Sequence, residues 1–218
     1  MELNGNRTYR LRGSRITEAQ ANARQRLAPL YEIIERTTID PKSCFANPSR
    51  VIMEIGFGMG EATALIAQAH PEDGFLAVEV HPPGVGKLMA RLEEHQLTNV
   101  KIISEDVHIV LEKMIPDASL DGIHLFFPDP WPKVKHHKRR IVTEEFLQLI
   151  APKLKDGGFF HVATDWVPYA EWIKSVFSKS ELFTGGEVAR PDWRPLTRFE
   201  GQGLDKNHRV TDLRYFKK

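Results

Sequence analysis

The chain has 218 residues, of which 41% are hydrophobic and 27% are charged, a composition typical of a globular domain rather than a disordered chain. No apolar run approaches the roughly 20 residues that cross a bilayer, and residues 1–15 lack the apolar core of a secretory signal. The single cysteine, Cys44, excludes an internal disulfide framework and a cysteine-rich metal cage. We therefore expect a cytoplasmic protein without an obligatory protein partner.

Charge is distributed unevenly, although the formal net charge is only +1. Residues 1–26 carry six basic residues against two acids, and residues 190–218 carry eight against four. Residues 133–140 carry five basic residues and no acid. The remaining chain is net acidic, so this distribution favours a polyanion bound at one place. For the two ends alone, solvated tails are the better explanation.

The N-terminal region predicts a basic arm over residues 1–16, followed by a helix. Thr17 and Gln20 have the spacing of a capping box, in which a threonine and a glutamine satisfy the first backbone donors of a helix. We expect this helix to run to about Leu27, because Pro29 interrupts the pattern. The interpretation places the end of this arm-and-helix region near residue 40.

From residue 50 onward, apolar runs and helical patterns alternate. Strands are predicted at residues 50–55, 75–80, 100–104, 120–127 and 159–163. Helices are predicted at residues 61–69, 86–95, 107–114, 143–154 and 166–178. Residues 197–200 and 209–216 are expected to form a hairpin around a glycine-rich turn. This alternation predicts an α/β fold with a doubly wound, mostly parallel sheet, whose ligands bind at the carboxyl ends of the strands.

A glycine turn follows the first predicted strand, with glycines at positions 56, 58 and 60. Its G-x-G-x-G spacing differs from the G-x-G-x-x-G of dinucleotide enzymes, and alone it is as consistent with a structural turn. The second strand ends in Glu79, where a carboxylate can accept hydrogen bonds from two ribose hydroxyls. Together the two features indicate a nucleoside cofactor.

Acidic residues also follow the third and fifth predicted strands. Asp106 could accept a hydrogen bond from the exocyclic amine of an adenine, or it could cap the next helix. Asp165 could likewise be a helix cap, or it could face the same crevice as the acid that follows the fourth strand. Both alternatives stay open for each residue.

The fourth predicted strand ends in the most unusual segment of the chain. Asp129 lies between Pro128 and Pro130, which hold it in an extended, rigid segment. Trp131 follows, and an aromatic ring there could stack on a base. The basic residues 133–140 come next and suit phosphate groups. A carboxylate, an aromatic ring and a polycation therefore lie within a dozen residues. Two adjacent histidines in this block lack nearby acids or cysteines, so we assign no metal.

These segments, taken in order, strongly resemble the bacterial tRNA (guanine-N(7)-)-methyltransferases. The resemblance covers essentially the whole chain and rests on the glycine turn of residues 54–60 and on the segments VEVHPPGVG, LFFPDPWPKVKHHKRRIV, HVATDWVPYAEW and RPLTRFE. It implies a Rossmann-like, seven-stranded methyltransferase sheet with a C-terminal antiparallel hairpin over residues 41–218. It also implies that a methyl group passes from S-adenosylmethionine to guanine N(7) of the variable-loop guanosine of tRNA (position 46 in tRNA numbering).

The resemblance assigns roles position by position. The cofactor-binding positions are Glu54, Gly56, Gly58, Gly60, Glu79, Asp106 and Asp129. Asp129 also matches the catalytic aspartate of the family. The substrate-binding positions are Lys133, Asp165, Thr197, Arg198, Phe199 and Glu200. The RNA-contacting positions are Lys135, His136, His137, Lys138, Arg139 and Arg140.

The chain departs from the family pattern at a few of these positions. Lys135 and Arg198 stand where arginine and lysine are expected, which keeps the charge but changes the hydrogen-bond geometry. Residues 201–203 lack an expected arginine. We expect these differences to affect RNA affinity rather than the activity.

Two other classes of protein use similar features. A dinucleotide-dependent oxidoreductase would share the sheet. It would need a third glycine at the spacing G-x-G-x-x-G, however, and its reaction has no use for the basic residues 133–140. A non-catalytic RNA-binding module would have lost its cofactor residues, whereas the glycines and acids are intact here. Within methyltransferases, Asp-Pro-Trp distantly resembles the motif of enzymes that methylate the adenine amino group, so the identity of the base needs a test.

Overall fold

The computed structural model describes residues 8–9, 16–196 and 210–218. Its seven strands are β1 (Val51–Ile55), β2 (Gly74–Val78), β3 (Val100–Ile103), β4 (Leu120–Phe126), β5 (Leu154–Thr164), β6 (Phe183–Val188) and β7 (Thr211–Lys217). Its α-helices are α1 (Glu18–Tyr31), α2 (Glu61–Ala69), α3 (Pro82–Glu94), α4 (Val107–Lys113), α5 (Glu144–Ile150) and α6 (Val167–Ser178). Short 3-10 helices lie at Lys42–Cys44 and Val134–Arg139.

All seven strands form one sheet in the order β3-β2-β1-β4-β5-β7-β6. Strands β1 to β5 run parallel, whereas β7 is antiparallel to both β5 and β6. The predicted fold is therefore confirmed. The strand order reverses between β1 and β4, and in open α/β sheets this reversal leaves a crevice at the carboxyl ends of the strands.

Helices cover the two faces of the sheet. Every residue of β1 and β2 is buried, because these central strands pack against helices on both sides. One hydrophobic cluster joins the sheet to α4, α5 and α6. A second cluster joins the opposite face to α1, α2 and α3. This double layer makes the sheet a rigid support for the loops at its carboxyl edge.

The C-terminal strands pair differently from the prediction. β7 pairs with β6 in antiparallel register, from Phe183 opposite Lys217 to Val188 opposite Asp212. The predicted partner, residues 197–200, lies outside the described residues. The sequence pattern missed β6 because Gly185 and Gly186 interrupt it and because most of this edge strand is exposed.

Helix α1 is longer than predicted. Its capping box is confirmed, since Thr17 Oγ1 accepts from the backbone N–H of Gln20 at 3.3 Å. Pro29 lies within the helix rather than beyond its end. Proline has no N–H, so the helix lacks the hydrogen bond of that amide, whereas Glu32 N donates to Ala28 O at 2.8 Å. Buried Tyr31 then holds the last turn against the protein.

Strand β5 also begins earlier than predicted. The strand was predicted to begin at residue 159, yet residues 154–158 also lie within it. Gly157 has φ +72°, and the pairing with β4 shifts register at this point, so these residues form a bulge.

The N-terminal helix is packed onto the sheet domain. Gly86 of α3 lies so close to α1 that an added Cβ would approach Gln20 O to 2.3 Å. The backbone of Glu32 also pairs with Ile102 of β3. A boundary near residue 40 remains a prediction. In the described part of the chain, no helix is both long and apolar enough to cross a membrane.

Candidate active site

A cavity of about 600 Å³ lies at the carboxyl ends of β1, β2 and β4. Its walls come from the glycine turn after β1, the end of β2, the loop after β4 and residues 194–195. Five acids line it, namely Glu54, Glu61, Glu79, Glu105 and Asp129. The volume is that of an ordinary small-molecule or cofactor site. Its position is the one that the reversal in strand order predicts.

The glycine turn has a backbone that other residues adopt only under strain. Gly56, Gly58 and Gly60 have φ values of +74°, +57° and +72°. A Cβ added to Gly56 or Gly58 would meet no atom within 4 Å, whereas one on Gly60 would clash with Leu88 of α3 at 2.7 Å. The first two glycines therefore leave space on the cavity side of the backbone, and the third allows close helix packing.

The Glu79 carboxylate holds the glycine turn in place. Its Oε2 accepts from Gly58 N at 2.8 Å, and its Oε1 accepts from Val80 N at 2.8 Å and His81 N at 3.0 Å. The end of β2 is thereby tied to the turn after β1. Oε2 accepts only one of these three bonds and retains a second lone pair, so Glu79 can also accept from a ligand hydroxyl.

Glu54 is a buried acid that faces the cavity from β1. Only 3% of it is exposed. Burial raises its pKa to about 7, the nearby charge of Glu79 acts in the same direction, and the hydroxyl of Thr63 opposes the shift. A carboxylate held in this way gains from a cationic ligand, which would stabilise its ionised form.

The loop that carries Asp129 is bounded by two residues with left-handed backbone. Phe127 has φ +51° and Trp131 has φ +45°, which is unusual for aromatic residues. Phe127 N donates to Ala163 O at 2.8 Å, which fastens the start of the loop to β5. Asp129 lines the cavity beside Pro128. Backbone strain of this kind is typical of functional sites.

Two residues of the N-terminal arm also line the cavity. The indole N–H of Trp131 donates to Thr8 O at 3.0 Å, and Tyr9 lies hydrogen-bonded to Asp106. Sequence reasoning missed Thr8 and Tyr9, because no local pattern indicates where an arm docks. Trp131 itself is 2% exposed, so the expected stacking of its ring on a base does not fit its position.

The other two strand-end acids have distinct positions. Asp106 caps α4, accepting from His108 N at 2.9 Å. Burial acts to raise its pKa, but hydrogen bonds from His108 and Tyr9 hold the pKa below its ordinary value. Helix α6 begins at Val167 with Trp166 as its cap, so Asp165 is not the N-cap. Asp165 is half-buried at the end of β5.

The basic block is mostly a surface feature. Exposed Lys133 precedes the 3-10 helix Val134–Arg139. Within this helix Lys135 and Lys138 are exposed, and His136, His137 and Arg139 are half-buried. Arg139 lies over the buried ring of Trp131 at 4.9 Å. The block therefore continues directly from the Asp129 loop and shares its framework.

Arg140 differs from the rest of the block because it is buried. Its Nε donates to Pro130 O at 3.0 Å, and its guanidinium lies 5.1 Å from the ring of Tyr169 and 5.0 Å from that of Trp172. These contacts brace the loop after β4 against α6. A direct RNA contact by Arg140 remains a prediction.

Sequence reasoning also missed Arg194, which lines the cavity while only 1% exposed. Arg194 begins the segment RPLTRFE, in which the resemblance assigned roles only from Thr197 onward, and its partner Asp212 lies on β7. The predicted substrate-binding segment of Thr197, Arg198, Phe199 and Glu200 follows three residues later, outside the described residues.

Comparison of the sequence with known proteins shows the family to which this chain belongs. The methyltransferase family model Methyltransf_4 matches residues 48–213. A tRNA (guanine-N(7)-)-methyltransferase of Streptomyces avermitilis is 49% identical, covering 95% of this chain and 73% of the relative. One of Nitrosomonas europaea is 46% identical, covering 95% and 94%. The chain belongs to the tRNA (guanine-N(7)-)-methyltransferase family. The predicted resemblance is therefore confirmed.

Solved structures of other methyltransferases share the fold of this family member. The 16S rRNA methyltransferase KamB aligns with a TM-score of 0.58 at 15% identity, over 94% of this chain and 95% of that chain. The tRNA (m1A58) methyltransferase of Aquifex aeolicus aligns with a TM-score of 0.52 at 14% identity, over 86% and 72%. At these identities the likeness shows the fold alone.

Proposed function

We propose that this protein transfers a methyl group from S-adenosylmethionine to guanine N(7) of the variable-loop guanosine of tRNA, position 46 in tRNA numbering, in the cytoplasm. The observation that carries the proposal is the cavity itself, in which the glycine turn, Glu79 and Asp129 meet at one edge of the sheet. The names of relatives at 46–49% identity support the same reaction and base.

The cavity fits a nucleoside cofactor that carries a positive charge. Gly56 and Gly58 leave open space where side chains would stand, so a ligand can approach their backbone closely. Oε2 of Glu79 is placed to accept from a ribose hydroxyl, and Glu54 is placed to favour a cation. S-adenosylmethionine, when bound, supplies a methyl group on a positively charged sulfur. The cofactor role of Asp106 is inferred from the resemblance, since its side chain already caps α4.

Gly58→Ala tests this assignment of the glycine turn. Alanine at φ +57° costs roughly 1–2 kcal/mol of backbone strain, and its Cβ projects into open space. We expect at least a tenfold loss of S-adenosylmethionine affinity by isothermal titration calorimetry. Gly157→Ala is the matched control, since Gly157 has φ +72° and equally open surroundings. Equal cofactor affinity in the two variants would contradict the role of Gly58.

The proposed chemistry needs positioning more than proton transfer. Guanine N(7) has a lone pair and no proton, so no general base is required at that atom. The Asp129 carboxylate can accept hydrogen bonds from the N1–H and amino group of guanine, which adenine does not offer in this arrangement. It also stabilises the positive charge that develops on the purine ring. We assign Asp129 these two roles, with Asp165 as a second substrate contact.

The tRNA surface in this proposal is the exposed part of the basic block. Lys133, Lys135 and Lys138 are exposed, and they continue from the loop of Asp129. Phosphate contacts by such side chains determine affinity and its dependence on salt. His136, His137 and Arg139 are assigned to the same surface on the resemblance.

The double variant Lys135→Ala/Lys138→Ala tests this surface. Removing two phosphate contacts is expected to weaken tRNA binding and to reduce the slope of log Kd against log salt by about 2, measured by filter binding. Lys42→Ala/Lys113→Ala removes the same charge at exposed positions distant from the block in the sequence. A salt slope that is unchanged in the first variant, or equally reduced in both, would exclude the block from the interface.

The activity is tested by incubating the protein with methyl-labelled S-adenosylmethionine and unmodified tRNA, followed by nucleoside mass spectrometry. We expect 7-methylguanosine as the labelled product. A methylated adenosine would contradict the proposed base. The oxidoreductase alternative is tested separately by measuring the binding of NAD to the protein. Tight binding of NAD would contradict the proposed cofactor.

A further inference from the structure

A buried ion pair lies behind the cavity wall, outside the assigned site residues. Arg194 Nε donates to Asp212 Oδ1 at 2.7 Å, and Arg194 Nη2 donates to Asp212 Oδ2 at 2.9 Å. His161 Nε2 lies 2.9 Å from Asp212 Oδ1 and completes the set. All three residues are at most 3% exposed. Desolvating such a group is costly, and truncating one partner leaves a buried charge uncompensated.

The three residues come from separate parts of the chain. His161 is on β5, Asp212 is on β7, and Arg194 is on the connection between β6 and β7. Because β5 and β7 are neighbours in the sheet, Ala163 and Asp212 face each other across the pairing. The ion pair therefore fixes the connection at residue 194 to the sheet, beside the carboxyl end of β5.

The neighbouring residue, Trp193, strengthens this attachment. Its ring stacks on that of His124 of β4, with centroids 4.9 Å apart and planes 11° from parallel. It also meets the ring of His161 edge-on at 5.2 Å. Burial lowers the pKa of both histidines, although the carboxylate of Asp212 acts in the opposite direction on His161. Trp193 and Arg194 thus cover the sheet where β4, β5 and β7 lie side by side.

Arg194 also reaches the loop that carries Asp129. Its guanidinium lies 5.8 Å from the centroid of the Phe127 ring, within the range of a cation–π contact. Phe127 has left-handed backbone and begins the turn into Pro128 and Asp129. Both Phe127 and Arg194 line the cavity, whereas Asp212 is not among its lining residues in the described chain.

We propose that Asp212 is a positioning residue, which holds Arg194 against Phe127 and thereby sets the position of Asp129 for the guanine. This inference rests on the proposed function. Asp212 touches neither ligand in this account and acts only through Arg194. Displacing reacting groups by about 1 Å can cost roughly a hundredfold in rate. The ion pair thus acts on the chemical step while leaving the glycine turn and Glu79 undisturbed.

Asp212→Asn is the principal test, because it keeps the shape of the side chain and removes its charge. We expect kcat for tRNA methylation to fall about tenfold to a hundredfold. S-adenosylmethionine affinity, measured by calorimetry, is expected to change less than threefold. Arg194→Lys keeps the charge but loses the two-pronged contact, so we expect it to recover part of the kcat that Arg194→Ala loses.

Asp73→Asn provides a matched control. Asp73 is 1% exposed and pairs with Arg50 through Nε at 3.1 Å and Nη2 at 2.5 Å, at the amino-terminal edge of β1 and β2. Asp73→Asn therefore removes the charge of an equally buried aspartate with a two-pronged arginine contact away from the cavity, although the Arg50 side chain is 46% exposed. Thermal unfolding of both variants identifies an assay temperature at which both are fully folded. Similar kcat values for Asp212→Asn and Asp73→Asn at such a temperature would overturn the proposal.

A second measurement does not depend on activity. In hydrogen–deuterium exchange, the peptide of residues 125–131 is expected to exchange faster in Asp212→Asn than in the wild type, and at the wild-type rate in Asp73→Asn. Unchanged exchange in Asp212→Asn would overturn the inference even if kcat fell. If the wild type itself transferred no methyl group to tRNA, the proposed function would fail, and this measurement would still decide whether Asp212 positions the loop.

Discussion

Asp129→Asn is expected to lower kcat for tRNA methylation by about a thousandfold. The size follows from losing one preorganised charge beside a cation that develops in the transition state, which typically costs a hundredfold to a thousandfold. The side chain keeps its shape, so the loop between Phe127 and Trp131 is retained. Affinity for tRNA is expected to persist, because phosphate contacts by the basic block dominate it. Single-turnover methyl transfer at saturating tRNA measures the effect.

Asp156→Asn is the control for this variant. The Asp156 side chain is 94% exposed and belongs to the bulge in β5, far along that strand from its carboxyl end. It removes the same charge without touching the cavity. A normal single-turnover rate in Asp129→Asn would contradict the assigned role. A parallel loss of tRNA affinity would place Asp129 in binding rather than in the chemical step.

Glu54→Gln is expected to stabilise the free protein while weakening cofactor binding. Burial raises the pKa of Glu54 to about 7, from an ordinary value of 4.5. Between these values the folded protein holds a proton that the unfolded chain has released, so wild-type stability falls as pH rises. Above pH 7 the free energy of unfolding of the wild type is lower than at acidic pH by up to about 3 kcal/mol. Glutamine does not titrate and escapes this loss.

Thermal unfolding at pH 5 and pH 8 measures this effect. Relative to the wild type, Glu54→Gln is expected to gain about 5–10 °C in Tm at pH 8 and much less at pH 5, since 1 kcal/mol shifts Tm by about 2–4 °C in a chain of this size. Its S-adenosylmethionine affinity at pH 8 is expected to fall tenfold to a hundredfold, the value of a charge-assisted contact of about 1.5–3 kcal/mol.

Glu181→Gln is the control for Glu54→Gln, because Glu181 is exposed. It is expected to change neither Tm nor cofactor affinity. A Glu54→Gln variant that is less stable than the wild type at pH 8 would show that the buried carboxylate is already compensated in the free protein. Unchanged cofactor affinity would remove Glu54 from the cofactor site.

Much of the fold and cavity could be predicted because its signals are local. Short buried runs such as β1 and β2 end in glycine or an acid, and these ends meet at one edge of a parallel sheet. Asp129 could be placed at this edge because it follows the fourth predicted strand, between two prolines and ahead of the basic block. Glu79 follows Gly58 by 21 residues in the chain, yet the strand order brings the two residues into contact.

The remaining features depend on contacts between distant parts of the chain. The burial of Trp131 requires Thr8, 123 residues earlier, and no local pattern indicates that contact. Arg194 and Asp212 pair only because β7 inserts beside β5. In the sequence, Arg140 cannot be distinguished from the other basic residues of its block. Its burial results from packing against Trp172 of α6. Such features arise from tertiary contacts, which local sequence patterns do not predict.

The central claim is that this cavity directs a methyl group to N(7) of one guanosine in the variable loop of tRNA. The most direct test compares two tRNAs that differ in a single atom, with guanosine or 7-deazaguanosine at position 46, in single-turnover reactions with labelled S-adenosylmethionine. We predict stoichiometric 7-methylguanosine on the first tRNA and no transfer to the second, although both bind equally well. Equal methylation of the two tRNAs would contradict the assigned atom and position together.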